Sequence, residues 1–220
     1  MSFSCAEAPC KPLPLTGDET GIDLGLESFA TLADGCQIAN PRHYRKAERA
    51  LKKAQRRVSR RRKGSHRRRT ALRLLARAHQ QVRRTRCDFH HKVALALVRD
   101  YDTISYDDVQ TANLLRNHHL AKRIADAGWS AFLSILAFTA GCAGKRAVAV
   151  PPAYTSQTCS GCGVLVQKGR AVRWHRCPAC GTSLQRDQHA ARTSLRLGTA
   201  RRGAGLAPQA LTQWIATYVA

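Results

Sequence analysis

The sequence predicts an α/β fold with a small cysteine-rich module near its C-terminal end. Three observations support this prediction. Short apolar runs bounded by glycine in residues 21–39 indicate a strand hairpin with a third strand. A long basic stretch with apolar residues at helical spacing follows, and strand and helix patterns then alternate to about residue 150. Two Cys-x-x-Cys-Gly pairs come next, separated by fourteen residues.

The first predicted elements are strands at 21–25 and 28–33 and a third strand around 36–39. Asp23 lies inside the first apolar strand, with a glycine on either side of its immediate neighbours. A buried lone carboxylate is costly unless it is paired or bound to a metal. Asp23 is therefore a candidate metal ligand, and an ordinary turn aspartate is the alternative interpretation of the same motif.

Residues 42–86 carry 20 Lys or Arg and a single acid, Glu48. The apolar spacing predicts helices at about 44–62 and 66–99, which form a basic helical hairpin within 42–99. A solvated helical face usually mixes charges to gain i,i+4 pairs, and this one does not. We therefore expect the hairpin to bind nucleic-acid phosphates without reading the base sequence. The residues predicted to make these contacts are Arg56, Arg57, Arg60, Arg61, Arg62, Lys63, Arg67, Arg68 and Arg69.

The overall composition also favours a nucleic-acid partner. The 220 residues include 37 Lys or Arg and 14 Asp or Glu, for a formal charge of +23. A basic membrane-surface or ribosome-associated protein is the alternative on charge alone. Residues 1–19 do not have the pattern of a signal peptide, and we expect no stretch long enough to span a membrane. The expected location is the cytoplasm, with nucleoid association in a prokaryote.

The two cysteine pairs predict a structural zinc site. Zinc favours four soft ligands in a tetrahedron, and Cys159, Cys162, Cys177 and Cys180 supply four thiolates at a suitable spacing. Each pair is followed by a glycine, which suits a tight turn with a positive φ. Two redox or disulfide pairs are the alternative. The remaining cysteines are scattered and suggest no disulfide framework, so a reducing compartment is expected.

A strand predicted at 103–109 ends in the acids Asp107 and Asp108. Neighbouring strand residues point to opposite faces, so only one of the two acids can face a given site. An Asp-rich loop or a helix cap is the alternative interpretation of this pair. The other predicted elements are helices at 111–126 and 129–141, a strand at 147–150, a short helix at 189–197, and an amphipathic pattern from Pro208.

Asp187, seven residues after the last cysteine of the pairs, is the only acid in the final 94 residues. Together with Asp23 and Asp107 it completes a set of three carboxylates from three different elements. Two divalent ions about 4 Å apart require such a cluster for phosphodiester hydrolysis, and Mg²⁺ prefers oxygen ligands. The element order suits an RNase H-like α/β fold with a catalytic metal site.

The chain resembles the C-terminal half of the TnpB (OrfB) family of transposon-encoded proteins, relatives of the type V CRISPR effectors that carry a RuvC-like nuclease domain. The resemblance runs from about residue 21 to residue 197. The motifs that carry it are Gly-Ile-Asp23-Leu-Gly, Ile-Ser-Tyr-Asp107-Asp-Val, Tyr154-Thr-Ser-Gln-Thr-Cys-Ser-Gly-Cys162-Gly, Arg-Cys177-Pro-Ala-Cys180-Gly and Arg-Asp187-Gln-His-Ala-Ala.

This resemblance implies RNA-guided, metal-dependent cleavage of DNA, with DNA and a guide RNA as partners. It implies that Asp23 and Asp187 are the first and third acids of a RuvC-like triad and that Mg²⁺ or Mn²⁺ is the catalytic cofactor. Two positions depart from the family. Asp107 stands where the family has a glutamate, and the shorter side chain would shift the metal or weaken the site. His189 stands where the family usually has asparagine.

The family also usually has a long N-terminal region, so we expect a truncated nuclease whose N-terminal half is lost or encoded separately. The implied organisation is a disordered N-terminal remnant at 1–19, a RuvC-like core at 20–152 that includes the hairpin 42–99, a zinc ribbon at 153–186, a final RuvC-like segment at 187–198, and a tail at 199–220.

Two functional classes are consistent with these residues and motifs. The favoured class is an enzyme, a DNA endonuclease of the transposase family. The alternative is a DNA- or RNA-binding remnant with a weakened or dead centre. A zinc-ribbon ribosomal or transcription accessory protein would also fit the charge and the cysteines, but it leaves the acids unexplained. Convergence of Asp23, Asp107 and Asp187 is the observation that separates these classes.

Overall fold

A five-stranded mixed β-sheet organises the fold. The computed structural model describes residues 12–169 and 172–203. The strands of the sheet are β1 (Glu19–Leu24), β2 (Ser28–Leu32), β3 (Gln37–Ala39), β4 (Thr103–Asp107) and β5 (Arg146–Val150), in the spatial order β3-β2-β1-β4-β5. The first three strands pair antiparallel, and β4 and β5 run parallel to β1. The predicted α/β class is confirmed.

Six helices accompany the sheet in the described residues: α1 (His43–Ser59), α2 (His66–Asp100), α3 (Thr111–Leu114), α4 (His118–Ala127), α5 (Trp129–Cys142) and α6 (Arg186–Gly203). The predicted helix at 111–126 is two helices, because the Asn117 side chain accepts a hydrogen bond from the His119 N–H at 3.1 Å and caps a new start. Helix α6 is longer than predicted at both ends. The amphipathic pattern from Pro208 lies outside the described residues.

Helices α2 and α5 pack on one face of the sheet and bury the apolar core. Ile22 of β1 and Ile104 of β4 are fully buried there together with Phe132 and Leu136 of α5 and Val98 of α2. Each such side chain contributes about 1.5–3 kcal/mol when it is removed from water. This core fixes the positions of the two central strands.

Helix α6 lies on the opposite face, very close to β1 and β4. A Cβ added at Gly21 would lie 2.0 Å from the Ala191 carbonyl oxygen, and one added at Gly198 would lie 1.9 Å from Ser105 Oγ. Only glycine permits the approach of the two backbones at Gly21 and of the Ser105 side chain to the helix at Gly198. Strand residues alternate between faces, so Asp23 lies on the same face as Gly21, towards α6.

One described stretch, His118–Cys142, is long and apolar enough to cross a membrane, contrary to the expectation that no stretch is. Length and composition alone make it a candidate, and 39% of its window is buried inside the protein. Gly128, with a φ of 65°, ends α4 and breaks the stretch into two helices. Trp129 and Leu136 of α5 are buried in the core. Core packing therefore accounts for the buried part of this stretch.

Residues 12–18, predicted to be part of a disordered remnant, are held against the fold. The N–H groups of Thr16 and Gly17 donate to the Asp102 carboxylate at 3.0 and 2.8 Å. The buried Lys145 ammonium forms an ion pair with the same carboxylate at 3.0 Å. These contacts hold residues 16 and 17 in place, because their backbone donors find a fixed, paired acceptor. Residues 1–11 lie outside the described part of the chain.

Candidate functional site

Asp23 and Asp107 lie near the C-terminal ends of β1 and β4, which are adjacent parallel strands. The strand register pairs Ile22 with Tyr106, and the two aspartates come one residue later on each strand. Asp187 lies in the first turn of α6, the helix that covers this face. Three elements that are distant in the sequence thus direct carboxylates towards one region.

The three carboxyl groups interact electrostatically. The pKa of Asp23 is raised from 3.8 to about 8, first by burial and then by the charges of Asp187 and Asp107, while the nearby Arg186 opposes the shift. Like charges brought together without a cation raise the pKa of a carboxyl group in this way. The structure therefore brings the three predicted acids together. Their carboxylate oxygens do not all lie within 4.8 Å of one another. In the described part of the chain, the ligand atoms of two groups of Cys and His side chains do.

Two hydroxyl groups that were not among the predicted site residues hold Asp107. Ser194 Oγ donates to Asp107 Oδ1 at 2.6 Å, and Thr155 Oγ1 donates to Oδ2 at 2.7 Å. Burial raises the pKa of Asp107, and these two hydrogen bonds lower it. Ser194 follows Asp187 by seven residues, two helical turns, so helical periodicity could have placed both on one face. Asp108 is exposed, in agreement with the prediction that only one acid of the pair faces the site.

The four predicted zinc ligands form a cluster. All four Sγ atoms lie within 4.8 Å of one another, with Cys159 and Cys180 at 3.6 Å and Cys162 and Cys177 at 3.5 Å. Sulfurs in a tetrahedral site with Zn–S bonds of about 2.3 Å lie about 3.8 Å apart. Hydrogen bonds from Thr182 lower the pKa of Cys180 to about 6, whereas burial and the neighbouring cysteines raise the pKa of Cys162 to about 11. The cluster therefore fits a metal ion that prefers four sulfur ligands.

Backbone geometry supports the same cluster. The glycines after the two cysteine pairs, Gly163 and Gly181, have φ values of 83° and 72°, as predicted for these turns. Their N–H groups donate to the carbonyl oxygens of Cys159 and Cys177 at 2.9 and 3.0 Å. A short antiparallel pair of strands, β6 (Trp174–Arg176) and β7 (Ser183–Gln185), flanks the second turn.

The cysteine module is fastened to α6. Thr193 Oγ1 donates to the Thr158 carbonyl at 3.2 Å, and Arg196 Nη1 donates to the Cys159 carbonyl at 3.1 Å. His189 is fully buried, and its Nε2 accepts from the Ser160 N–H at 3.1 Å. The helix that carries Asp187 is therefore positioned in part by the cysteine turns.

His189 and His175 stack with their ring centroids 3.5 Å apart, and one nitrogen of each lies within 4.8 Å of Cys159 Sγ. This group shares Cys159 with the four-cysteine cluster, so it is not an independent second site. His189 Nε2 already accepts a hydrogen bond, so the neutral ring carries its proton on Nδ1. His175 Nδ1 similarly pairs with Lys168 Nζ at 2.7 Å. The histidine at 189 thus serves as a packing partner of the cysteine module.

The basic hairpin presents most of its predicted contacts to solvent. Arg68 is the exception, because its Nη1 donates to the carbonyls of Val58 and Arg61 at 3.0 and 3.1 Å and joins the end of α1 to the start of α2. Arg68 therefore has a structural role, and its predicted contact with nucleic acid stays a prediction. The exposed members of the predicted set are Arg56, Arg57, Arg60, Arg61, Arg62, Lys63, Arg67 and Arg69.

The hairpin is anchored to the rest of the protein at its base. The carboxylate of Asp126 on α4 accepts hydrogen bonds from the N–H groups of Tyr44 and Arg45 at 2.7 and 3.2 Å. These are orphan donors of the first turn of α1, so a residue from another helix caps α1. Glu48 of α1 also pairs with Lys122 of α4. The start of α1 is therefore held in a fixed position against α4, and this contact anchors the basic hairpin.

Comparison with known proteins agrees with this arrangement. The family model OrfB_IS605, described as a probable transposase, matches residues 2–118, and a Cas12f1-like TNB domain model matches residues 129–193. The solved structure of a Cas12f1–sgRNA–target DNA complex aligns with 86% of this chain and 51% of its own, at a TM-score of 0.58 and 14% identity. That likeness concerns the fold.

Two relatives illustrate the sequence similarity. A Streptomyces pristinaespiralis protein named "Putative RNA-guided DNA endonuclease" is 39% identical over 95% of this chain and 52% of its own. InsQ of Escherichia coli K12, which carries the same description, is 29% identical over 86% and 51%. The chain spans about half the length of these curated relatives. Since the first family model covers more than half of the chain, the protein belongs to the OrfB_IS605 transposase family.

Proposed function

We propose that this chain is the catalytic part of a TnpB-like, RNA-guided and divalent-metal-dependent DNA endonuclease. The observation that carries the proposal is the electrostatic contact of Asp23 with Asp187 and Asp107, which come from β1, α6 and β4. Three carboxyl groups that share a partly buried site repel one another unless a cation neutralises them. An RNase H-like, RuvC-like core at 20–152 and 187–198 accounts for the strand order and for this cluster.

Mg²⁺ or Mn²⁺, when bound, would stabilise the attacking and leaving oxygens of phosphodiester hydrolysis. Asp23 has to release its proton before it can act as a ligand, because its pKa lies near 8 without a cation. Ser194 and Thr155 orient Asp107 by one hydrogen bond to each carboxylate oxygen. Asp187, in the first turn of α6, approaches from the helix side of the sheet. The shorter Asp107 favours the more permissive Mn²⁺.

We assign one structural Zn²⁺ to Cys159, Cys162, Cys177 and Cys180, within a ribbon at 153–186. Four sulfur donors with the observed spacing are the ligand set that zinc prefers in structural sites. The hydrogen bonds of His189, Thr193 and Arg196 with the cysteine turns indicate a structural role for this ion. By ordering the turns, it would hold α6, and therefore Asp187, in place.

DNA and a guide RNA are the proposed partners. The names of the two relatives and the RNA and DNA in the Cas12f1 complex support this choice. The exposed arginines of the α1–α2 hairpin suit the phosphate backbone of either nucleic acid. The protein would act in the cytoplasm on nucleoid DNA.

The test of this proposal is a metal-dependent cleavage assay with the purified chain. Duplex and single-stranded DNA would be incubated with Mg²⁺ or Mn²⁺, alone and with the N-terminal region and guide RNA of the Streptomyces relative. We expect cleavage that Asp23→Asn and Asp187→Asn abolish and that the exposed control Asp108→Asn leaves intact. Binding without cleavage in every arm would replace the proposal with that of a nucleic-acid-binding remnant.

A further inference from the structure

A pocket of about 400 Å³ lies beside the carboxylate site and takes no part in the chemistry proposed above. Its lining includes Tyr154, Ser156, Gln157, Lys168 and Arg186. Two of these residues adjoin the site directly in the sequence. Tyr154 precedes Thr155, which bonds to Asp107, and Arg186 precedes Asp187. A ligand in this pocket would therefore lie next to the carboxylates.

Tyr154 is presented to solvent in an unusual conformation. Its side chain is 63% exposed, and its φ of 63° lies in the left-handed region, which aromatic residues rarely adopt. The N–H groups of Gln157 and Thr158 both donate to its carbonyl oxygen at 2.8 Å, so the turn that follows holds the backbone in this state. A strained residue of this kind marks a candidate functional position. The result is an exposed aromatic residue with a fixed backbone in the lining of the pocket.

The opposite part of the lining is positively charged. The half-buried Lys168 is fixed by its 2.7 Å hydrogen bond with His175 Nδ1. Burial lowers the pKa of Lys168, and the charge of Arg186 lowers it further, which indicates that the two cationic groups are near each other. Two like charges beside one pocket favour an anionic ligand. Ser156 and Gln157 add polar side chains to the same lining.

We propose that this pocket binds one unpaired nucleotide of a single-stranded DNA, with its base stacked on Tyr154 and its phosphate between Lys168 and Arg186. Every base has a face that can stack on an aromatic ring, and a strand with unpaired bases leaves that face available. The volume is within the range of small-ligand pockets. The inference deepens the proposed nuclease function, because the adjoining phosphodiester would then reach Asp107 and Asp187.

The test separates stacking from the large electrostatic contribution of the basic hairpin. Binding of a short thymidine oligonucleotide and of an abasic oligomer with the same length and charge is measured by fluorescence anisotropy, without added Mg²⁺ or Mn²⁺. Both ligands are compared on the wild type, Tyr154→Ala and Tyr154→Phe. Phe138→Ala on α5, which removes an aromatic ring that is 66% exposed, is the matched control. Circular dichroism melting establishes that each variant is folded.

We expect the wild type, Tyr154→Phe and Phe138→Ala to prefer the thymidine oligonucleotide by about tenfold, the contribution of one stacked base. Tyr154→Ala should lose this preference while it binds the abasic oligomer unchanged. An equal preference for thymidine in Tyr154→Ala and the wild type would overturn the assignment. This test measures binding and not cleavage. A protein that does not cut DNA but whose preference for thymidine depends on Tyr154 would contradict only the nuclease proposal and would support the pocket.

Discussion

Ser194 on α6 donates a 2.6 Å hydrogen bond to Asp107 at the end of β4. This bond connects the helix that carries Asp187 with the strand that carries the middle acid of the candidate triad. The hydroxyl of Ser194 also donates to the Ala190 carbonyl at 3.1 Å, so its direction is fixed by its own helix. The position of one carboxylate is thus tied to the element that supplies another.

Ser194→Ala should destabilise the protein by about 1–3 kcal/mol, because it removes a hydrogen bond to a half-buried carboxylate. Urea unfolding at pH 7 measures the loss. The exposed Ser59, whose hydroxyl bonds only to the Arg56 carbonyl, provides the control Ser59→Ala, for which we expect little change. Equal stability of the two variants would contradict the role assigned to Ser194.

Asp23→Asn should stabilise the metal-free protein at pH 8 by on the order of 1–3 kcal/mol, because it removes a buried, repelled charge. The folded pKa of Asp23 is about 8, against 3.8 in the unfolded chain. Between these values the folded state holds a proton that the unfolded state has released, so this group makes stability fall as pH rises from about 4 to 8.

Thermal melts across that pH range would measure the Asp23 effect, with the exposed Asp108→Asn as the control. The decrease in melting temperature with rising pH that is assigned to Asp23 should disappear in Asp23→Asn and persist in the control. If Asp23→Asn melts at a lower temperature than the wild type at pH 8 without divalent metal, the carboxylates do not repel one another as described.

Cys177→Ser should lower the zinc content of the purified protein from one equivalent to almost none, since three thiolates hold zinc far less firmly than four. The cysteine turns should then lose their order, because metal binding and folding are coupled in such modules. Elemental analysis and hydrogen exchange of residues 159–185 report the two effects. Cys87→Ser, which changes an exposed cysteine on α2, should retain the metal.

Replacement of Arg60, Arg61 and Arg62 by glutamate should weaken binding to any DNA or RNA sequence by a similar factor. These side chains are exposed at the end of the hairpin and suit phosphate contacts, which carry no base information. The slope of log affinity against log salt should fall by about 0.9 for each duplex phosphate that the variant no longer neutralises. A wild-type affinity that is independent of salt would exclude this surface as the binding site.

Gly21→Ala should unfold or severely destabilise the protein, because its Cβ would lie 2.0 Å from the Ala191 carbonyl oxygen. Backbone atoms cannot yield cheaply, so α6 would have to move off the sheet. Gly141→Ala on α5 is the control, since no atom lies within 4 Å of the added Cβ and alanine favours a helix. Chemical denaturation compares the two, and similar midpoints would argue against close packing of α6.

Much of the fold could be predicted from sequence because its signals are local. The hairpin β1–β2, the basic helices and the cysteine turns each depend on spacing within a few residues, and the structure has them close to the predicted bounds. The cap at Asn117 is also local, but the helical pattern continues on both sides of it and conceals the break. The ordered residues 12–18 depend on Asp102, which is far away in the sequence.

The candidate site divides in the same way. Asp23, Asp107 and Asp187 can be identified because carboxylates in apolar or basic surroundings are conspicuous in a sequence. Ser194 carries no such signal, since hydroxyl side chains are common and its partner lies on another element. Thr155 lies within the motif that begins at Tyr154, but the motif does not reveal that its hydroxyl bonds to Asp107. The stacking of His175 on His189 and the inward turn of Arg68 also depend on tertiary contacts that no local pattern contains.

The close approach of Gly21 to Ala191 has a consequence for synthesis of the protein. The first strand of the sheet is synthesised before the helix that covers it, and that helix follows every other described element. Contacts between such distant segments form late and slowly in folding. A nascent chain therefore cannot bring its three acids together until α6 has emerged, and its basic hairpin is exposed before the candidate metal site has formed.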